Sequence, residues 1–202
     1  MEGEEYLTEA LACGRGVLLA TAHVGNWELG GLILALRGYP LTVAYRPMSS
    51  PRVNRMFLEQ RQHRGLDPVP LGRAAISLVR ALRKGRIAAV LADRDFSENP
   101  FPTPFFGAPA RLPRGPATLS FRTGAPLLPG FMLRQPNGNF RLAFFPKIDP
   151  KQFDSIEAVQ VELVHSLETV IGENPTQWFV FDDFWSDGRT SSLQTKGEGA
   201  YG

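Results

Sequence analysis

Three histidines occur in the chain, and one of them, His23, closes the short apolar run Gly16-Val17-Leu18-Leu19-Ala20-Thr21-Ala22, five residues ahead of Glu28. A carboxylate bound to one imidazole nitrogen fixes the tautomer and leaves the other nitrogen free to take a proton, which makes a general base for a hydroxyl. On one continuous helix a spacing of five separates two side chains by about 140°, at roughly 100° per residue, so the pair can meet only across a turn. Gly25 supplies that turn and would leave room for a substrate. Asn26 is a good N-cap, and residues 27–36 are apolar enough and long enough for a helix. No serine or cysteine adjoins the pair, so the hydroxyl to be deprotonated belongs to a substrate. The same residues also fit a blander reading, a histidine capping a helix and a glutamate on its exposed first turn. His63, in an arginine-rich helix, and His165, on an amphipathic one, have ordinary surface or packing explanations. The pair is not the His-Glu-x-x-His that sets two imidazoles on one helical face, and a third ligand is hard to find, so no metal site is assigned.

The elements that position His23 follow from pattern. The run before it is bounded by glycine, as a buried strand is. Residues 10–20 and 81–92 echo each other: a helix end, a glycine suited to the left-handed C-terminal position (Gly14, Gly85), then an apolar strand ending in polar residues. The first strand runs into His23 and the second into Asp93-Arg94-Asp95. In open α/β sheets ligands gather beyond the carboxyl ends of strands, and the echo gives both polar clusters similar positions relative to their strands. Residues 41–45 read as a strand, 51–64 as a basic helix and 73–84 as another helix. Residues 127–133 and 140–145 read as a hairpin turning at Pro136-Asn137-Gly138. Apolar residues at helical spacing make 155–172 an amphipathic helix, ended by Pro175. The expected architecture is α/β, a mixed central sheet covered by helices, with one domain over 1–185 and a tail of low apolar content over 186–202.

Composition narrows the function. With 202 residues, 43% of them hydrophobic, the chain can bury one sizeable core. The single cysteine, Cys13, excludes an internal disulfide framework and a cysteine-rich metal site. No apolar stretch is long enough to span a bilayer, and no signal peptide is evident. The net charge of +2 conceals a basic block: residues 46–86 carry ten arginines and lysines against Glu59 and Asp67 alone, an anion-binding composition. Only Phe57 interrupts that block as an aromatic, so nucleic acid is not the expected partner. Phe96, Phe101, Phe105 and Phe106 lie among prolines in FSENPFPTPFFG, a loop that would either meet an acyl chain or membrane surface or pack its rings beneath itself.

Beyond these readings, Thr21-Ala22-His23-Val24-Gly25-Asn26-Trp27-Glu28 resembles the His-x4-Glu/Asp signature of the lipid A biosynthesis lauroyl/myristoyl acyltransferases, a family that includes the phosphatidylinositol-mannoside acyltransferases. Tyr45-Arg46-Pro47, Arg61-Gln62-His63-Arg64-Gly65, Leu91-Ala92-Asp93-Arg94-Asp95, Phe105-Phe106-Gly107, Leu112-Pro113-Arg114-Gly115-Pro116-Ala117, the block 123–129 and Asn174-Pro175-Thr176-Gln177-Trp178 resemble further blocks of that family in the same order. The likeness covers roughly residues 5–185.

The resemblance implies a glycerol-phosphate acyltransferase-like fold. It also implies transfer of a fatty acyl group from a thioester, carried on acyl carrier protein or coenzyme A, to a hydroxyl of a glycolipid or lysolipid, without a covalent acyl-enzyme. His23 would be the base and Glu28 its orienting partner. Asn26, Arg46, Arg64, Asp93, Asp95, Arg114 and Gly115 are the substrate-binding candidates, the roles of Asp93 and Asp95 being left open between them. No cofactor is implied beyond the thioester as co-substrate. Family members usually begin with an extra N-terminal region, often bearing a membrane helix, whereas this chain starts close to the first family block. The expected location is therefore the cytoplasmic face of the cell membrane, peripheral in this chain, with any anchor in that N-terminal region. Acidic residues near the end of the matching stretch, Asp182 and Asp183, speak against lipid A itself as acceptor. Two rival functions remain: a noncatalytic lipid-surface domain built on this fold, and an acyl-thioesterase using water.

Overall fold

The computed structural model describes residues 1–95, 101–181 and 184–185, with side chains at all of these except 101 and 102. The apolar run before His23 forms strand β1 (Val17–Thr21), whose first four residues are buried. Around it stand β2 (Leu41–Tyr45), β3 (Leu66–Pro70), β4 (Ile87–Leu91), β7 (Leu127–Arg134) and β8 (Phe140–Phe144) in the order β3-β2-β4-β1-β7-β8. Every neighbouring pair in this sheet is parallel except β7 and β8, which form the expected hairpin. The sheet is thus mixed, and its parallel centre reads as near-continuous apolar sequence because both faces are covered.

One face is covered by α1 (Glu4–Ala12) and α2 (Trp27–Leu36), which bury Leu7, Ala10 and Leu34 together with Val17, Leu19 and Leu41. The other carries α4 (Leu71–Arg83), α5 (Gly115–Thr123) and α6 (Ile156–Glu173), which bury Ala74, Leu78, Ala117 and Leu163 with Leu18, Ala20 and Ala88. Alternate residues of β1 therefore serve opposite cores, as strand geometry requires. α2 starts at Asn26, whose side-chain oxygen accepts the Leu29 N–H at 3.0 Å. Ser155 caps α6 in the same way, accepting from Ala158 at 3.2 Å. α3 (Pro51–His63) buries no residue and packs on β3 at the sheet edge.

One region carries no expectation from the sequence, and another differs from its expectation. Residues 66–70 form edge strand β3 although Pro68 and Pro70 argue against a strand; at an edge a proline forfeits no ladder bond that a second neighbour needs. The proline-rich aromatic segment, expected as a loop, forms an antiparallel pair, β5 (Phe101–Phe105) and β6 (Ala108–Leu112). Phe106 and Gly107, both at positive φ, make its tight turn. Phe105 is fully buried and packs against Phe184 and Trp178, with ring centroids 5.4 and 5.9 Å away, so it does not face a lipid. Phe106 is exposed. Phe96, the side chain of Phe101 and the tail 186–202 lie outside the described residues.

Candidate active site

β1 and β4 pair in parallel with Thr21 opposite Leu91, so residues 23 and 93 both lie two positions beyond the ladder, at the same level. The Ala92 N–H donates to the Thr21 carbonyl at 2.8 Å and carries the alignment one step further. His23 and Asp93 meet there, 70 positions apart in sequence: imidazole Nδ1 is 2.8 Å from Asp93 Oδ1. The His23 backbone N–H donates to Asp93 Oδ2 at 2.8 Å, and the Trp178 indole N–H reaches the same oxygen at 3.0 Å. Asp93 is fully buried and His23 is not. An ionised carboxylate can only accept, so facing Asp93 the Nδ1 atom is the ring's donor, and in the neutral tautomer this leaves Nε2 as the acceptor.

The turn holding His23 is fixed from two sides. The Phe179 N–H donates to the His23 carbonyl at 2.7 Å, and Gly25 N–H to the Gln177 carbonyl at 2.9 Å. The Asn26 N–H donates to the Met132 carbonyl at 2.8 Å. Gly25 has φ 61°, and a Cβ there would lie 2.0 Å from the Met132 carbonyl oxygen. The glycine is needed because two backbones touch, not to leave space for a substrate. Trp27 meets the imidazole edge-on at 4.9 Å.

Glu28 does not orient the imidazole. Both of its carboxylate oxygens face Arg61, with Arg61 Nε donating to Oε2 at 3.2 Å and Nη2 to Oε1. The Arg61 guanidinium also lies over the rings of Tyr45 and Phe57, 5.7 and 5.9 Å from their centroids. The reason is topological: the Asn26 cap starts α2 and turns Glu28 toward α3, while strand pairing sets Asp93 beside the ring.

His23 and Glu28 line one large cavity of about 1460 Å³, above the range of about 300–1,000 Å³ usual for small-ligand sites. On the α2 face of the sheet its walls include Leu19, Leu34, Met132 and Leu142; on the other they include Leu78 and Leu119. His23, Tyr45 and Leu91, at or just past the carboxyl ends of their strands, line the cavity too. Arg46, Asp95, Arg114 and Gly115 line this space as well. Arg114 pairs with Glu157 of α6. Asp93 lies behind His23, fully buried and not on the cavity wall. Arg64 and Asn26 line a smaller depression of about 240 Å³ next to it, and Asn26 spends its side-chain oxygen on the helix cap. Arg61, not Arg64, is the cation of α3 that reaches the main cavity. Among the described residues neither serine nor cysteine lines the cavity; the aliphatic side-chain hydroxyls on its wall are those of Thr21, Thr118 and Thr123.

Trp178 and Arg61 were not singled out from sequence. An indole N–H with no local partner, and an arginine one helical turn before Arg64, carry no signal until the sheet and α3 are in place. No described helix is long and apolar enough to cross a membrane.

A mixed α/β sheet carries a histidine just past the carboxyl end of its first strand, beside a large and mainly apolar cavity. The 1-acyl-sn-glycerophosphate acyltransferase of Thermotoga maritima superposes on 81% of this chain and 68% of its own, with a TM-score of 0.50 and 18% identity, a likeness of fold. The model of the bacterial lipid A biosynthesis acyltransferases matches residues 1–186, and the chain belongs to that family. It is 29% identical to the phosphatidylinositol mannoside acyltransferase of Mycobacterium tuberculosis over 96% of this chain and 63% of that protein. The Mycolicibacterium smegmatis protein of the same name is also 29% identical, over 95% and 65%. A lipid A biosynthesis acyltransferase of Haemophilus influenzae is 27% identical over 87% and 55%. The chain thus spans somewhat less than two thirds of the length of these relatives.

Proposed function

We propose that this chain transfers a fatty acyl group from an acyl thioester, on acyl carrier protein or coenzyme A, to a hydroxyl of a glycolipid. His23 Nε2 takes the hydroxyl proton as the oxygen attacks the thioester carbonyl. The C–O bond forms, the tetrahedral intermediate collapses, the C–S bond breaks, and the thiolate leaves with the proton returned from the imidazolium. Asp93, held by the His23 backbone N–H and the Trp178 indole, keeps the ring in the accepting tautomer and balances the imidazolium charge. The apolar cavity walls take the acyl chain. Glu28 keeps Arg61 on the cavity wall, where Arg46 and Arg114 also stand, a cationic lining suited to phosphate groups of donor or acceptor. For the acceptor we favour a glycosylated phospholipid over lipid A, because the mycobacterial relatives match over more of this chain than the lipid A enzymes do. The chain would work as a peripheral protein on the cytoplasmic membrane face.

The observation that carries this reading is the Nδ1–Asp93 contact, which turns the opposite edge of the His23 ring to a cavity of lipid size. The test is incubation with acyl-CoA or acyl carrier protein thioesters and a panel of glycolipids and lysolipids, following free thiol and product mass. Thiol release that needs an acceptor and yields the acyl ester supports transfer. Thiol release with free fatty acid alone would make the chain a thioesterase, and no release would leave a noncatalytic lipid-surface domain.

A further inference from the structure

β2 and β3 run parallel to β1 and β4, so their carboxyl ends share the edge of the sheet where His23 lies. α4 begins directly at the end of β3, and α3 begins six residues after β2. The first two turns of both helices therefore stand at one corner of the sheet. That corner exposes large apolar side chains: Met48, Val53 and Met56 from the α3 side, Leu71 and Ile76 from α4, with Ile76 72% exposed. Arginines are interleaved with them, Arg52 and Arg55 on α3 and Arg73 on α4, all exposed. None of these three forms an ion pair with a described carboxylate. Over residues 46–80 the only acidic groups are Glu59 and Asp67, and Asp67 accepts a hydrogen bond from Thr42. Met48, Leu71 and Ile76 also line the cavity, so exposed apolar surface continues inward.

We propose that this corner, the amino-terminal halves of α3 and α4 with the 46–50 loop, docks on an anionic phospholipid bilayer, so that lipid enters the cavity sideways from the membrane. The inference rests on reading the chain as a lipid acyltransferase. Apolar side chains standing among unpaired arginines match the acyl and headgroup layers of such a surface. An acidic soluble protein would satisfy the arginines and leave the apolar side chains without a reason to be exposed.

The test is co-sedimentation of the full chain with phosphatidylcholine vesicles with and without phosphatidylglycerol. Binding should require phosphatidylglycerol and weaken as salt rises. The combined R52Q, R55Q and R73Q variant should partition about a hundredfold less, at about fivefold per arginine. The V53S and M56S pair should also bind less, and M56W should shift its emission to the blue only when vesicles are present. All variants should keep the wild-type melting curve and its transfer from a water-soluble short-chain thioester to a water-soluble glycoside acceptor. Indifference of the wild type to anionic vesicles, unchanged partition of the triple arginine variant, or displacement of the chain from vesicles by an acidic carrier protein would overturn the proposal. Vesicle binding without any thioester turnover would sink the catalytic reading and leave the docking surface standing; turnover without binding would do the reverse.

Discussion

Replacing Asp93 with asparagine changes one atom of a fully buried group that three N–H donors address. Two of those donors, the His23 backbone N–H and the Trp178 indole, meet at one oxygen, so the amide carbonyl will take that place. The amide NH2 then faces Nδ1. Two donors cannot face each other, so Nδ1 gives up its proton, and the ring proton moves to Nε2, the atom that must accept from the substrate. The same exchange in a Ser-His-Asp triad lowers turnover about 10⁴-fold, and a loss of about 10³- to 10⁴-fold in kcat is expected here. KM should change little, because Asp93 is off the cavity wall. Stability should fall by about 1.5–3 kcal/mol, the usual worth of hydrogen bonds to a charged group. The Glu28→Gln variant is the control, because Glu28 contacts Arg61 and not the ring; it should stay within about tenfold of wild type in kcat, or less than about 1.4 kcal/mol of barrier. Steady-state thiol release measures both variants, and nitrogen-15 NMR of the imidazole reports which ring nitrogen bears the proton. A folded Asp93→Asn protein with near-normal kcat, or a Glu28→Gln loss as large as the Asp93→Asn loss, would refute the assignment of Asp93 as the orienting group.

Removing the imidazole in His23→Ala should cost about 10²- to 10⁴-fold in acyl transfer while leaving the melting curve near that of wild type; near-normal transfer would remove the base from the mechanism. Trp178→Phe deletes a single donor to Asp93 and keeps most of the ring packing. It should lower kcat by roughly tenfold and stability by about 1–3 kcal/mol, read by thermal melting beside the turnover assay. Gly25→Ala puts a methyl group 2.0 Å from a backbone oxygen at positive φ, so the His23 turn has to move. Left-handed strain alone is worth about 1–3 kcal/mol, and the clash adds to it; a Gly25→Ala protein with unchanged melting temperature would contradict the close approach of the two backbones.

Much of the fold was legible because its signals are local. The apolar runs of β1, β2 and β4, the Asn26 cap, the period of α6 and the Gly138 turn each specify themselves within a few residues. β3 was not legible, since whether two prolines are tolerated depends on its having a neighbour on one side only. The β5–β6 pair was hidden because its prolines read as loop, and what buries Phe105 comes from Trp178 and Phe184, more than 70 positions away.

The candidate site divides in the same way. From the sequence alone came the imidazole at a strand end, the second polar cluster after an echoing strand, the basic block and the family likeness. What the chain order could not supply was the partner of the imidazole. Glu28 is five residues away and looks suited to the task, but a helix cap fixes where it points. The parallel pairing of β1 with β4 sets Asp93 level with His23, and residues 177–179 close over both. Strand register is a long-range property, decided by which apolar faces share a core, and so only the tertiary structure settles which carboxylate a histidine will meet.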